Sequence, residues 1–130
     1  MERIQLSEGE WKIMNRLWDA PYRTIRQLTE DLYEETGWDK HTVITLLNRI
    51  EKKGALSYRQ NGRAKEFYPI VPREEISRSE TKKFLQKVYQ GSLSMMVHSM
   101  VVQNSLSGEE IDELYQILKE SRRGGGKNNG

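Results

Sequence analysis

The chain has 130 residues, a formal net charge of +2 and no cysteine. That length accommodates one domain with a good core, or a small domain plus an assembly module, and the missing cysteine excludes a disulfide framework, a thiolate zinc site and a cysteine nucleophile. No basic segment leads into an apolar one at the start, and the longest apolar-leaning run, near Met95–Val102, is broken by His98 and Ser99, so a soluble, cytoplasmic protein is expected.

Ser7 with Glu10 three residues on is a capping box, after which Trp11, Met14 and Trp18 recur at helical spacing with Leu17 beside them. This first helix is predicted to stop at Asp19-Ala20-Pro21. Tyr22 and Arg23 read as a short extended link. Thr24 with Gln27 opens a second helix along Ile25, Leu28 and Leu32, closed by Gly37. Its Glu30, Asp31, Glu34 and Glu35 read as a solvated face. Asp39 caps a third helix that runs to Lys53 and ends at Gly54. The period then changes: Leu56–Gln60 reads as a strand, Asn61-Gly62 as a tight turn and Glu66–Val71 as the returning strand, with Pro69 arguing for an edge. Three short helices followed by a basic hairpin are a winged-helix arrangement, assigned to residues 1–71.

Pro72 marks the expected boundary. Helices follow over Arg73–Tyr89, over Ser92–Gln103, and from a cap at Ser107, with Glu110 in register, to about Ser121. Residues 122–130 are Gly/Asn-rich and expected to be disordered. The predicted fold class is therefore mostly α: a winged helix-turn-helix domain and then a helical module, residues 72–121.

Charge singles out the third helix and the hairpin. Ile25–Asp39 carries Arg26 against five acidic residues, a net −4, whereas Lys40, Arg49, Lys52, Lys53, Arg59, Arg63 and Lys65 face only Glu51 between Lys40 and Lys65, a net +6. Such a patch is a footprint for a polyanion. At ~100° per residue, Val43, Leu46, Leu47 and Ile50 share one side of the helix. His41, Thr45, Asn48 and Lys52 fall opposite, flanked by Thr42 and Arg49, while Ile44 is expected half exposed. The short polar groups suit base edges, and Arg49, Lys52 and Lys53 suit phosphates. Arg63 and Lys65 place a basic loop where it can touch backbone or minor groove. Lys40, His41, Thr42, Ile44, Thr45, Asn48, Arg49, Lys52, Arg63 and Lys65 make the candidate DNA-contact set.

In the C-terminal module, Val88, Leu93, Met96, Val97, Met100 and Val101, with Ile111, Leu114 and Leu118, are too many apolar side chains for isolated helices to leave in water. They can pack back on the winged helix or bury against a second copy. Two-fold DNA sites need two reading helices ~34 Å apart or a multiple of it, which favours dimerisation. His41 and His98 stand 57 residues apart in no ligand-spaced cluster, and no phosphate-binding glycine loop or nucleophile–base pair is evident. Neither metal, cofactor nor enzymatic activity is expected. A winged helix that binds protein, or one that senses a small ligand directly, is the alternative class.

The run Trp38-Asp-Lys-His-Thr-Val-Ile-Thr-Leu-Leu-Asn-Arg-Ile-Glu-Lys-Lys-Gly54 resembles the core of the penicillinase-repressor family, bacterial regulators of β-lactam resistance and copper transport. The similarity continues through Leu6–Asp19, Phe67-Tyr68-Pro69, Phe84–Gly91 and Leu106–Leu118. It implies a homodimer that blocks transcription at a palindromic operator in double-stranded DNA, with base or backbone contacts from His41, Thr42, Ile44 and Thr45. His41 and Ile44 stand where basic residues are common in the family, which implies a different operator preference. In the β-lactam branch a membrane sensor-protease signals for cleavage in the dimerisation module, at a bond that aligns with Ser99-Met100. The copper branch carries a C-terminal cysteine cluster that this chain lacks.

Overall fold

The computed structural model describes residues 4–124, which divide into two compact units, 1–82 and 83–130, taken here over their described residues. The first unit holds α1 (Glu8–Asp19), α2 (Ile25–Thr36), α3 (Lys40–Lys53), β1 (Leu56–Asn61), β2 (Ala64–Pro69) and the first half of α4 (Arg73–Tyr89). The second holds the rest of α4, α5 (Leu93–Val102) and α6 (Gly108–Arg123).

Local chemistry sets the helix ends. Ser7 and Thr24 form capping boxes with Glu10 and Gln27, and the Asp39 carboxylate accepts the Thr42 amide; each such cap is worth about 1 kcal/mol. Gly54, at φ +85°, closes α3 in the left-handed conformation that glycine adopts without a Cβ clash. The apolar stripes converge on one core, with Ile13, Met14 and Leu17 of α1, Leu28 and Leu32 of α2, and Val43, Leu47 and Ile50 of α3 sealed from water. Burying each of these stabilises the fold by about 2 kcal/mol. Trp11 and Trp18, expected on this stripe, are half-buried and pack on each other with ring centroids 5.8 Å apart, while Ile13 takes the central place.

The acidic run of α2 is exposed, as expected, and three of its four carboxylates are ion-paired. Glu35 bridges Lys12 and Arg16 of α1 at 3.0 and 2.7 Å, Asp31 takes Arg23 at 2.7 Å, and Glu30 takes Arg26 at 3.2 Å. The hydrogen bond from Lys12, aided by the charges of Lys12 and Arg16, outweighs desolvation and holds the Glu35 carboxyl below its ordinary value.

The hairpin differs from expectation in register and in neighbours. Asn61 pairs with Ala64, so the turn is Gly62-Arg63 rather than Asn61-Gly62, and the returning strand runs Ala64–Pro69. Gly62 at φ +65° in the first loop position is the demand of a primed hairpin turn. Nor is β2 an edge along its length. The expected extended link instead bends at Tyr22 (φ +69°), and Arg23 pairs with Phe67 on the side away from β1, with N–H···O distances of 2.7–3.2 Å among Tyr22, Arg23 and Phe67. Pro69 turns the same way as Phe67, two residues past the point where that pairing ends, so its missing N–H breaks no bond.

The core reaches past Pro72. Ile76 on α4 is 3% exposed, the Trp18 indole donates to the Val71 carbonyl at 2.9 Å, and Arg73 pairs with Asp19 at 3.1 Å. In the second unit none of the described residues is buried. Val88 lies near the end of α4; Leu93, Met96, Val97, Met100 and Val101 lie on α5; Ile111, Leu114 and Leu118 lie on α6. Leu93 is 54% and Leu118 62% exposed. α6 ends at Arg123, so the expected tail loses Arg122 and Arg123 to a helix, and residues 125–130 lie outside the described residues. Among the described residues no helix is long and apolar enough to cross a membrane.

Candidate nucleic-acid interface

α3 buries and exposes the two faces that its sequence predicts. Val43, Leu46, Leu47 and Ile50 are buried, while Lys40, His41, Thr45, Asn48, Arg49 and Lys52 are exposed. Thr42 and Ile44 are half-buried at the margins. Two polar groups are already partly engaged. The Thr45 hydroxyl donates to the His41 carbonyl at 3.0 Å, which leaves its lone pairs and methyl for a partner. The Thr42 amide, and then its hydroxyl, hold the Asp39 carboxyl below its usual range.

Lys53 departs from expectation. Its ammonium donates to the Glu10 carboxylate and, at 2.8 Å, to the Gln5 carbonyl. Glu10 is 1% exposed and also accepts the Ser7 amide at 2.8 Å. Burial disfavours its charged form, but Lys53 and the Ser7 amide outweigh that and keep the carboxyl below its ordinary value. Lys53 is therefore a strut between the end of α3 and the start of α1, with its ammonium engaged within the fold. Sequence reading gave Glu10 only the capping role, and nothing local signals the second.

Arg59 is likewise engaged. It lies opposite Glu66 in the hairpin, donates from Nε to Glu66 Oε1 at 2.8 Å, and stacks 3.8 Å from the Tyr22 ring centroid. Tyr22 packs in turn on Tyr68 at 5.1 Å. Glu66 Oε2 accepts from Asn61 Nδ2 at 2.9 Å. Asn61 first, then Arg59, draw the Glu66 carboxyl below its usual value. On the other face of the hairpin, the Lys65 ammonium sits 4.4 Å from the Tyr58 ring centroid. Among the described residues, Lys40, Arg49, Lys52 and Arg63 pair with no carboxylate. The basic patch thus divides into two cations that hold the fold and five that face outward.

The penicillinase repressor family matches residues 6–120 of this chain. The chain belongs to that family. It is accordingly a winged-helix repressor of the DNA-binding type rather than an enzyme. Family relatives span nearly its whole length. The penicillinase repressor of Bacillus licheniformis is 33% identical over 123 residues, 94% of this chain and 96% of that protein. The methicillin resistance regulatory protein MecI of Staphylococcus aureus is 31% identical over 114 residues, 88% and 93% of the two. The solution structure of the DNA-binding domain of the repressor BlaI superposes with a TM-score of 0.51 at 28% identity, covering 58% of this chain and 93% of that one. The monomeric form of Bacillus licheniformis BlaI in complex with the blaP half-operator gives 0.50 at 28% identity, with the same coverage.

Proposed function

We propose that two copies of this family member, acting in the cytoplasm, bind a palindromic operator and repress the gene beside it. In this reading the exposed face of α3 enters the major groove. His41, Thr42, Ile44, Thr45 and Asn48 approach base edges, Arg49, Lys52 and Lys40 hold phosphate, and Arg63 and Lys65 reach the adjacent backbone or minor groove. The observation that carries it is the division of α3: an apolar face sealed in the core and a polar face left open beside unpaired cations. That the BlaI relative forms a complex with a half-operator supports operator binding by this domain.

Dimerisation through the second unit draws support from its exposed apolar side chains. α5 is apolar nearly all round, a pattern proper to a helix enclosed by other protein. The finer reading follows the β-lactam branch: the regulated genes confer antibiotic resistance, and a membrane sensor-protease system relieves repression through cleavage at Ser99-Met100. Both residues are half-buried on α5, the helix proposed for the dimer contact, so a cut there would sever the surface that joins the two copies.

The test is a mobility-shift titration of the full chain on promoter DNA adjacent to its gene, at two salt concentrations. Affinity should fall by ~0.9 log unit per log unit of salt for each phosphate neutralised, and Arg63→Ala/Lys65→Ala should flatten that slope. Full affinity and an unchanged slope in the double variant would remove the wing from the interface.

A further inference from the structure

Glu66 sets a carboxylate on a hairpin whose other charges are Arg59, Arg63 and Lys65. By charge alone it opposes a polyanion. Its geometry indicates a different task. One oxygen grips Arg59 on β1, and the other grips Asn61, the residue directly before the Gly62-Arg63 turn. Arg59 is fixed from its other side by the Tyr22 ring. Tyr22 holds φ +69°, which a bulky residue keeps only where its surroundings impose it. The chain of contacts runs from the α1–α2 link to the shoulder of the turn.

We infer that Glu66 is a positioning residue for Arg63: by gripping Asn61 and Arg59 together, it holds the turn in one conformation and presents Arg63 to DNA already ordered. A two-stranded hairpin alone is marginal, and ordering a long side chain on binding costs entropy. A carboxylate that removes this cost tightens binding in spite of its sign. The inference rests on the proposed contact between wing and DNA.

The test uses full-length wild type, Glu66→Gln, Arg63→Ala and the double variant. The probes are a duplex enriched from a random-sequence pool by the wild-type chain, and an unselected duplex of equal length. Glu66→Gln should bind the enriched duplex about three- to tenfold more weakly although it gains positive charge, and the unselected duplex as well as before or better. In the Arg63→Ala background the same change should have little further effect. Asn61→Ala, which removes one grip and no charge, should act in the same direction and lose its effect in that background. Tighter binding of both duplexes by Glu66→Gln would reduce the residue to its charge and overturn the inference. So would an equal loss with or without Arg63, since the effect would then pass through the fold. If Arg63→Ala alone leaves affinity for the enriched duplex unchanged, the wing reading itself fails, a separate result.

Discussion

Removing the Lys53 ammonium while keeping its stem, as in Lys53→Met, leaves the Glu10 carboxylate buried with the Ser7 amide as its remaining partner. Breaking a fully buried pair costs about 3–5 kcal/mol, and an exposed pair is worth about 0–1 kcal/mol. Glu10 is 1% exposed and the Lys53 side chain 37%, so the loss should fall between, at about 2 kcal/mol. With an m-value of about 2 kcal/mol/M, that moves the urea midpoint down by about 1 M. Glu10→Gln is milder, about 1 kcal/mol. Glutamine serves at the third position of a capping box, and the freed ammonium keeps the Gln5 carbonyl and water. The double variant buries no charge and should be more stable than Lys53→Met alone. Tryptophan fluorescence reads the unfolding, because Trp11, Trp18 and Trp38 all belong to the first unit, at one fixed chain concentration. The sign with pH is defined. In wild type the folded carboxyl titrates below its ordinary 4.5, so its stabilisation is present above that value and is lost as pH falls through the folded one. In Lys53→Met burial is unopposed by Lys53 and protonation relieves the penalty, so the gap from wild type should narrow between about pH 7 and about pH 4. A gap constant with pH, or a Glu10→Gln variant as unstable as Lys53→Met, would refute the buried-charge account.

Gly54→Ala meets no atom within 4 Å but must hold φ +85°, so it should lose about 1 kcal/mol to backbone strain alone, read as a lower midpoint in the same urea titration. On the proposed dimerisation surface, Leu114→Glu places a charge on α6 between Ile111 and Leu118. Sedimentation at micromolar concentration should then show monomer where wild type shows dimer, and a full dimer would exclude that face from the interface.

The parts of the fold that were legible are those written by neighbours in sequence. Ser7, Thr24, Asp39 and Ser107 each announce a helix within three residues, and each caps one. The Arg23–Phe67 pairing was not legible, because it joins residues 44 apart through a single bridge and has no periodic signature. Ile76 escaped for a related reason: Pro72 looks like a boundary, yet the core continues one helical turn beyond it. Trp18 also meets that segment, through its hydrogen bond to Val71 and the Arg73 guanidinium 5.3 Å from its ring centroid.

The candidate interface shows how a small error of turn propagates into chemistry. Shifting the loop by one residue, from Asn61-Gly62 to Gly62-Arg63, moves every cross-strand partner by two. Arg59 then faces Glu66 instead of Ala64. With the first register Arg59 looks like another free cation; with the second it belongs to the Glu66 clasp. Lys53 has no such correction available from sequence, since its partner lies 43 residues away on a helix whose first turn already accounts for Glu10 as a cap. A run of basic residues records how much charge a segment carries, not how much of it faces outward. In this chain the difference is Lys53 and Arg59, and it decides which lysines and arginines should change the salt dependence of DNA binding and which should change stability.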